Sequence, residues 1–276
     1  MRKLASLTAD LTFIIPVRHP ANSRDWTQQV CTLLETVASI SNQTHSGWRA
    51  IVVANTVAEL PELPSQFDVE RVEFPPNPHH EKASVEIEQF YDAFRLDKGR
   101  RVLAALLKAR ESRFIMIVDD DDFVSCKLTE FVAGHSFSNG WTIQDGLVWG
   151  DGGSILYRHC NFSSFCGTSH IVRTDLYEIP EKFGTASNSY IKTMLGSHRF
   201  IGPYLASKGT PLETLPFLGA VYRTGHSGAH SKSGQILPKF IFNKDNLRRP
   251  FAVPRHLARL RLLTPALRRE FFGASG

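Results

Sequence analysis

The stretch Phe114–Asp122, FIMIVDDDD, decides how this sequence is interpreted. Its first five residues form a short apolar run that predicts a buried strand, and four aspartates follow directly. Neighbouring carboxylates disfavour one another's charge, so such a cluster at the end of a buried strand indicates a bound cation. Carboxylate oxygens are ligands that Mg²⁺ and Mn²⁺ prefer, so either ion would suit the site. Alternate residues of an extended segment face the same way, so Asp119 and Asp121 are predicted to share that cation. The alternative is a solvated acidic turn that caps the next helix.

The segments before Phe114 alternate between predicted strands and helices. Buried strands are predicted at Leu11–Val17 and Ala50–Ala54, and a further strand at Phe67–Phe74. One helix is predicted to follow an N-cap at Ser23, and another to open at Lys98. This order is typical of an α/β fold with a mostly parallel, twisted sheet flanked by helices. Such sheets bind ligands beyond the carboxyl ends of their strands, where this sequence places Arg18, His19, Asn55 and the aspartates.

The second half of the chain is less regular and predicts a mixed extension of the same fold. Strands are expected near Leu147–Trp149, at His170–Arg173 and at Leu218–Arg223, with a helix over about 188–207. Two histidines, His226 and His230, follow the last of these strands in a Gly/Ser-rich loop. Loop histidines are common and most have no special role, but beside the aspartate cluster these two become candidate metal ligands.

The composition is that of an ordinary globular protein. Of 276 residues, 42% are hydrophobic and 21% are charged, which excludes disordered, collagen-like and coiled-coil classes. No apolar run approaches the roughly 20 residues of a membrane span. The N-terminus lacks the apolar stretch of a secretory signal, and the four cysteines contain no C-x-x-C pair. We therefore expect a cytoplasmic protein with reduced thiols.

The positive charge of the chain is concentrated at its end. Residues 247–276 hold seven arginines and one acid, whereas the whole chain carries a net charge of only +5. The rest of the chain is therefore close to neutral, and no nucleic-acid partner is expected. The arginines alternate with apolar side chains, which predicts a basic amphipathic tail lying on an anionic membrane surface, at the inner face of the membrane. The alternative is a helix that packs on the domain, and three prolines limit any continuous helix.

Four motifs together resemble the glycosyltransferases of the GT-A fold, and most of all the family-two-like group. They are Leu11–Arg18 (LTFIIPVR), Val52–Asn55 (VVAN), Asp97–Gly99 (DKG) and Phe114–Asp122. The resemblance is strong over residues 10–125 and patchy to about 231. It implies a single catalytic domain over 1–246, with a nucleotide-binding part at about 10–125 and an acceptor part at about 126–246, followed by the tail 247–276. It also implies a UDP- or GDP-linked sugar donor, Mn²⁺ or Mg²⁺, and inverting transfer to a glycan or lipid-linked acceptor in polysaccharide biosynthesis.

The resemblance also assigns roles to individual residues. Contact with the nucleotide is implied for Pro16, Val17, Arg18, Asn55, Lys98, Arg101, Asp119 and Asp120. Metal ligation is implied for Asp119 and Asp121, with His230 or His226 as a late ligand. Asn55 stands where such enzymes often have an aspartate that contacts the base, so the identity of the base stays open.

This sequence departs from the family pattern at the general base. Inverting members carry a carboxylate before a helix in the second half, but the matching stretch, Leu195–Phe200, has none. His198 and Asp151 are the two candidates for the base, unless the stereochemistry differs; alternatively His198 packs against its helix and Asp151 only forms a turn. Trp149 and Gly150 are predicted either to form part of the acceptor floor or to belong to a structural turn.

Two other classes of function remain open from the sequence. A nucleotidyltransferase on a similar sheet normally has a Gly-rich loop after the first strand, and Pro16–Pro20 lacks one. A non-catalytic relative that binds a glycan or a partner protein should lose its metal ligands, whereas this chain keeps four aspartates and two loop histidines. A metal-dependent phosphohydrolase would need a second cluster of ligands, which the sequence does not supply.

Overall fold

The fold is built from two β-sheets with helices around them. The computed structural model describes residues 9–81, 86–225, 236–242, 246, 248–249 and 251–273. The strands are β1 Leu11–Pro16, β2 Trp48–Asn55, β3 Phe67–Val72, β4 Phe114–Ile117, β5 Phe123–Val124, β6 Gly140–Thr142, β7 Gly146–Gly150, β8 Ile155–His159, β9 His170–Arg173, β10 Glu213–Thr214, β11 Ala220–Thr224 and β12 Leu260–Leu262. The α-helices are α1 Trp26–Ser41, α2 Ile87–Lys108, α3 Leu128–Gly134, α4 Asn188–Tyr190, α5 His198–Ser207, α6 Ala252–Leu257 and α7 Pro265–Phe271.

The larger sheet has seven strands in the order β10-β6-β9-β4-β1-β2-β3. Strands β3, β2, β1 and β4 are mutually parallel, as the alternation of strands and helices predicts. Strand β9 then runs antiparallel to both β4 and β6. The predicted α/β fold with a mostly parallel central sheet is therefore confirmed.

Helices cover both faces of this sheet because β1 alternates its side chains between two cores. Phe13 and Ile15 pack on one face with Leu33 of α1, whereas Ile14 packs on the other face with Val102 of α2. All of these side chains are buried. The sheet is thus the middle layer of three, and the loops at its ends are the free surfaces where a site can form.

Three predicted helix boundaries are wrong. The N-cap of α1 is Asp25, whose side chain accepts a hydrogen bond from the backbone N–H of Gln28, and not Ser23. Helix α2 begins at Ile87, so Lys98 lies in its middle. The single helix expected over 188–207 is interrupted, because α4 runs into a wide π-helical turn at Ile191–Leu195 and α5 restarts after a new cap.

The second sheet joins the end of the chain to the domain. Its strand order is β12-β8-β7-β11-β5, so β12 extends it at one edge. Helix α7 follows, and its Phe271 is fully buried against the Trp149 and Phe123 cluster. Residues 251–273 form the short elements α6, β12 and α7 instead of one amphipathic helix, and the boundary expected at residue 246 stays a prediction. No helix within the described ranges is both long and apolar enough to cross a membrane.

Candidate active site

The order of the parallel strands creates a crevice between β1 and β4. From β1 the chain builds β2 and β3 on one side, and then returns to place β4 on the other side of β1. The loops after β1 and β4 consequently diverge, and in open α/β sheets ligands bind in the crevice that opens there, beyond the carboxyl ends of the strands. Strand β1 ends at Pro16, and the aspartate cluster begins two residues after β4.

A cleft of about 170 Å³ lies at this point. It is lined by Pro16, Arg18, Phe94, Asp97, Lys98, Arg101, Asp119, Asp120, Asp121 and Tyr222. Seven of these residues are predicted from the sequence as nucleotide or metal contacts, and those seven come from three separate segments of the chain. The cleft thus brings cationic and acidic side chains together, which is the combination that a phosphorylated ligand with a divalent ion needs.

Lys98 and Asp119 form an ion pair inside the cleft. The ammonium of Lys98 donates a hydrogen bond to the Asp119 carboxylate, and both side chains are largely buried. Burial opposes the charge on Lys98, but the charge and hydrogen bond of Asp119 outweigh it and raise the pKa of the lysine. A Cβ at Gly167 would overlap the Asp119 carboxylate and touch the Lys98 ammonium, so a larger residue there would require this pair to shift. The pair keeps Lys98 protonated and fixes the Asp119 carboxylate.

The other aspartates of the cluster have two different roles: some face the cleft, and one holds the loop in place. Asp120 is nearly buried and accepts a 2.7 Å hydrogen bond from the Gln29 side chain of α1. Asp122 is fully buried, and its carboxyl accepts hydrogen bonds from Thr168 Oγ1 (2.6 Å), Cys166 Sγ (3.2 Å) and the backbone N–H of Arg223 (3.3 Å). Burial, together with the charges of its neighbours in the cluster, raises the pKa of Asp122 well above its usual range. Asp122 therefore holds the loop, and Asp119 and Asp121 are left to face the cleft.

The acidic turn does not cap the next helix. Helix α3 follows Lys127, and that position makes no side-chain capping hydrogen bond. The aspartates therefore line the cleft or hold the loop beside it, and they do not cap a helix.

Two carboxylates at the cleft suit one mode of divalent metal binding. Mg²⁺ is usually held by one or two carboxylates while phosphate oxygens and waters complete its shell, and Asp119 and Asp121 offer that donor set. Within the described ranges, no group of three or more His, Cys, Asp or Glu side chains is placed to hold a metal by itself. The predicted late ligands His226 and His230 lie outside the described residues.

Arg101 brings a second buried cation to the cleft. Its side chain is only 1% exposed, and its Nε and Nη2 donate to the Asp97 carboxylate at 3.3 and 2.9 Å. Its Nη1 is buried and has no hydrogen-bond partner among the residues that the structure describes. A buried donor without an acceptor costs about 1–3 kcal/mol, so Arg101 is suited to an acceptor atom that a ligand brings.

Two predicted nucleotide contacts do not line the cleft. Asn55 is buried, and its side chain donates to the Phe74 carbonyl (2.8 Å) and accepts from the Val57 N–H (3.1 Å). Both ends of the amide are therefore used within the protein. Val17 is fully buried in the core.

His198 lies beside the cleft instead of on its wall. It opens α5 and lines a small cavity of about 20 Å³ together with Lys98 and Gly167. Its Nε2 is buried and has no hydrogen-bond partner within the described ranges. Burial, followed by the charge of Lys98, lowers the pKa of His198 to about 4. The imidazole is therefore neutral at physiological pH, and it shares Lys98 with the main cleft.

His170 fixes the backbone at this position. A carbonyl can only accept, so His170 Nε2 must carry the proton that it donates to the His198 carbonyl at 3.0 Å. Its Nδ1 then accepts from the Thr142 hydroxyl at 3.1 Å. Burial lowers the pKa of His170 to about 4, consistent with this neutral form.

Asp151 and Trp149 belong to a structural unit around Arg223. The buried guanidinium of Arg223 donates to Asp151 Oδ1 from Nε (3.1 Å) and Nη2 (2.7 Å), and it lies over the Trp149 ring at 5.5 Å. The Trp149 indole donates to the Gly153 carbonyl and packs on Phe123. Neither of the two residues nor Gly150 is among those lining the cleft. The turn interpretation thus accounts for their contacts, and their catalytic or acceptor roles stay predictions.

Sequence reasoning missed several residues that shape the site. Gln29 orients Asp120, Thr168 accepts the Asp119 N–H at 2.9 Å, and Phe94 and Tyr222 line the cleft. Gln29 is one of several polar residues on the buried face of α1, and Thr168 lies in an irregular loop, so no local pattern distinguishes either of them from a solvated residue. Tyr222 lies near the end of the strand predicted at Leu218–Arg223, just before the loop that holds His226 and His230, and that position was the one available signal.

Comparisons with known proteins give only remote likenesses. No protein-family model and no curated protein matches the sequence. Among solved structures, the chain is similar to S. aureus TarS, a family-two glycosyltransferase of the GT-A fold. One crystal structure of TarS is 15% identical with a TM-score of 0.40, covering 78% of this chain and 36% of that chain. A crystal structure of TarS 1–349 is 15% identical with a TM-score of 0.41, covering 77% and 60%.

This chain spans less than two thirds of the length of either TarS structure. Similarity this remote carries no conclusion about activity, and the fold assignment rests on the sheet topology given above.

Proposed function

We propose that this chain is a glycosyltransferase of the GT-A type that uses a nucleotide-diphosphate sugar. The observation that carries the proposal is the cleft between β1 and β4, where three cationic side chains meet Asp119 and Asp121. A diphosphate with a divalent ion suits this cleft, because the phosphates would pair with the cationic side chains and the ion with the carboxylates. The sequence motifs that resemble the family supply two walls of this cleft, the end of β1 and the cluster after β4.

Arg18, Lys98 and Arg101 would bind and orient the donor diphosphate. Breaking the bond between the anomeric carbon and the diphosphate leaves negative charge on the departing oxygens, and fixed cations in a partly buried cleft stabilise it. A divalent ion held by Asp119 and Asp121, when bound, would add Lewis-acid stabilisation of the same charge. The Lys98–Asp119 pair fixes one of these carboxylates before the donor arrives, so little reorganisation is needed.

We assign the general base to His198 in preference to Asp151. Inverting transfer needs a group that removes the proton from the acceptor hydroxyl, and a neutral imidazole can accept it. His198 is neutral, borders Lys98 and has an unpartnered Nε2, whereas the Asp151 carboxylate is already paired with Arg223. The acceptor itself we propose to be a glycan or a lipid-linked sugar.

A product assay separates this proposal from its alternatives. The purified chain would be incubated with a panel of UDP- and GDP-sugars and Mn²⁺, and release of the nucleoside diphosphate would be measured with water as the default acceptor. A glycosyltransferase releases UDP or GDP slowly, and the Asp121→Asn variant should lose the activity. Consumption of a nucleoside triphosphate and a sugar phosphate with release of pyrophosphate would instead identify a nucleotidyltransferase. Absence of both reactions, with no binding of any nucleotide, would favour the non-catalytic relative.

A further inference from the structure

The final segment of the chain presents arginines that form no ion pair with any described acidic residue. Six arginines are exposed there: Arg248, Arg249, Arg255, Arg261, Arg268 and Arg269. None of them lies within ion-pairing distance of a carboxylate in the described residues, whereas elsewhere in the chain ion pairs between basic and acidic side chains are frequent. An array of exposed, unbalanced guanidinium groups attracts a polyanionic partner.

Large apolar side chains project from the same segment. Phe251 is 82% exposed, Leu262 is 71% exposed and Leu257 is 43% exposed. The segment is nevertheless ordered by the domain, because β12 pairs with β8 and Phe271 is buried. The exposed apolar groups are therefore held on a folded surface. We call the residues 248–249 and 251–262 the basic-apolar edge.

We propose that the basic-apolar edge docks on a membrane surface rich in anionic lipid. Arginines would bind lipid phosphates, while Phe251 and the leucines would enter the boundary between headgroups and acyl chains. A nucleic acid would need only the charge and would leave the exposed phenylalanine and leucines in water. The combination of both kinds of side chain favours the lipid surface.

The position of this edge suits such an orientation. Strand β12 ends the second sheet on the side opposite β5, and β11 of that same sheet carries Tyr222 to the wall of the cleft. Docking would bring the second sheet, and not the parallel sheet, next to the bilayer. The inference does not rest on the proposed transfer reaction, because it concerns only binding to lipid.

Vesicle sedimentation tests the proposal with the full chain. Sucrose-loaded vesicles of phosphatidylcholine with 30% phosphatidylglycerol would be compared with vesicles of phosphatidylcholine alone. The Arg249→Gln/Arg255→Gln variant removes two exposed arginines without breaking an ion pair, and it should partition about thirtyfold less onto the anionic vesicles at low salt. The Phe251→Ser variant should lose roughly tenfold, because its ring no longer enters the interface. The Lys182→Gln/Lys208→Gln variant removes the same charge from exposed positions outside the edge and should bind like the unmodified chain.

Three results would overturn the proposal. They are equal binding to both kinds of vesicle, unchanged binding of the two edge variants, and binding to RNA or heparin with no binding to anionic vesicles. Circular dichroism of each variant would confirm that it is folded. Because the readout needs no sugar donor, a failure here is distinct from a failure of the proposed transferase function.

Discussion

Arg101 carries a buried guanidinium whose Nη1 has no acceptor in the part of the chain that the structure describes. If the donor supplies that acceptor, Arg101→Gln should weaken the binding of UDP or GDP by about tenfold, since hydrogen bonds to charged groups contribute about 1.5–3 kcal/mol. Calorimetric titration measures the change. The matched control is Arg113→Gln, which breaks an arginine–aspartate pair at the opposite end of β4. Equal loss of affinity in both variants would contradict the role of Arg101.

The lowered pKa of His170, another single residue, predicts that the stability of the fold depends on pH. Its pKa falls from the ordinary 6.5 to about 4 on folding, so the unfolded chain binds the proton more tightly. Stability from this group is complete above pH 6.5 and is lost as the pH falls from 6.5 towards 4. Between pH 7 and pH 5 the loss should be about 2 kcal/mol.

Urea unfolding of the unmodified chain at the two pH values measures the combined loss from His170 and from His198, whose pKa is lowered to the same value, and a His170 variant isolates the part due to His170. His170→Asn removes the titrating ring and keeps a donor and an acceptor, so its stability should fall less over the same interval. A variant with the same pH dependence as the unmodified chain would show that His170 is not the group responsible.

At the scale of single elements, α2 depends on close approach to its neighbour. A Cβ at Gly99 would overlap the carbonyl of Ile191 in the π-helical turn, so the helix and the turn touch only because this position is a glycine. Gly99→Ala should therefore destabilise the fold by about 2 kcal/mol despite its better helix propensity. Gly134→Ala, in α3, meets open space and should be neutral or stabilising by up to about 1 kcal/mol. Chemical denaturation of both variants tests the pair, and a neutral Gly99→Ala would refute the contact.

The elements that could be predicted from sequence are those whose pattern is local. Continuous apolar runs marked β1, β2 and β4, and alternation of strand and helix implied their parallel pairing. The start of α2 was missed because residues 87–97 mix apolar with charged side chains and, apart from Phe90, are not buried, so the buried face becomes continuous only after Lys98. The break before α5 depends on Gly196, where a Cβ would overlap the Arg95 carbonyl, and such a contact between distant segments leaves no local signal.

The site was predictable to a similar extent. The aspartates, Lys98 and Arg101 stand in family-like motifs, and the topology brings them to one cleft. The sequence does not show which aspartates face the cleft and which hold the loop. That difference depends on Thr168 and Cys166, which are 40 or more residues away in sequence and contact Asp122 only in the folded chain.

The whole molecule is held together by contacts between its two sheets and by the end of the chain. Phe271 is buried beside Trp149 and Phe123, so Phe271→Ala should destabilise the entire domain by about 3–5 kcal/mol. Phe251→Ala removes the same ring from an 82% exposed position and should leave stability nearly unchanged. Thermal and urea unfolding would compare them. A tolerant Phe271→Ala would instead support an independent tail after residue 246.

The central claim is that the cleft between β1 and β4 binds a nucleoside diphosphate through the carboxylates after β4. The test is calorimetric titration with UDP and GDP, each with and without Mn²⁺. The Asp121→Asn variant is compared with Asp68→Asn as its control, because Asp68 is an exposed aspartate of β3 that does not line the cleft. We expect one diphosphate to bind only when Mn²⁺ is present. The Asp68→Asn variant should keep the affinity of the unmodified chain, and the Asp121→Asn variant should bind at least about tenfold more weakly. Binding that is independent of Mn²⁺ and of Asp121, or no binding by the unmodified chain, would contradict it.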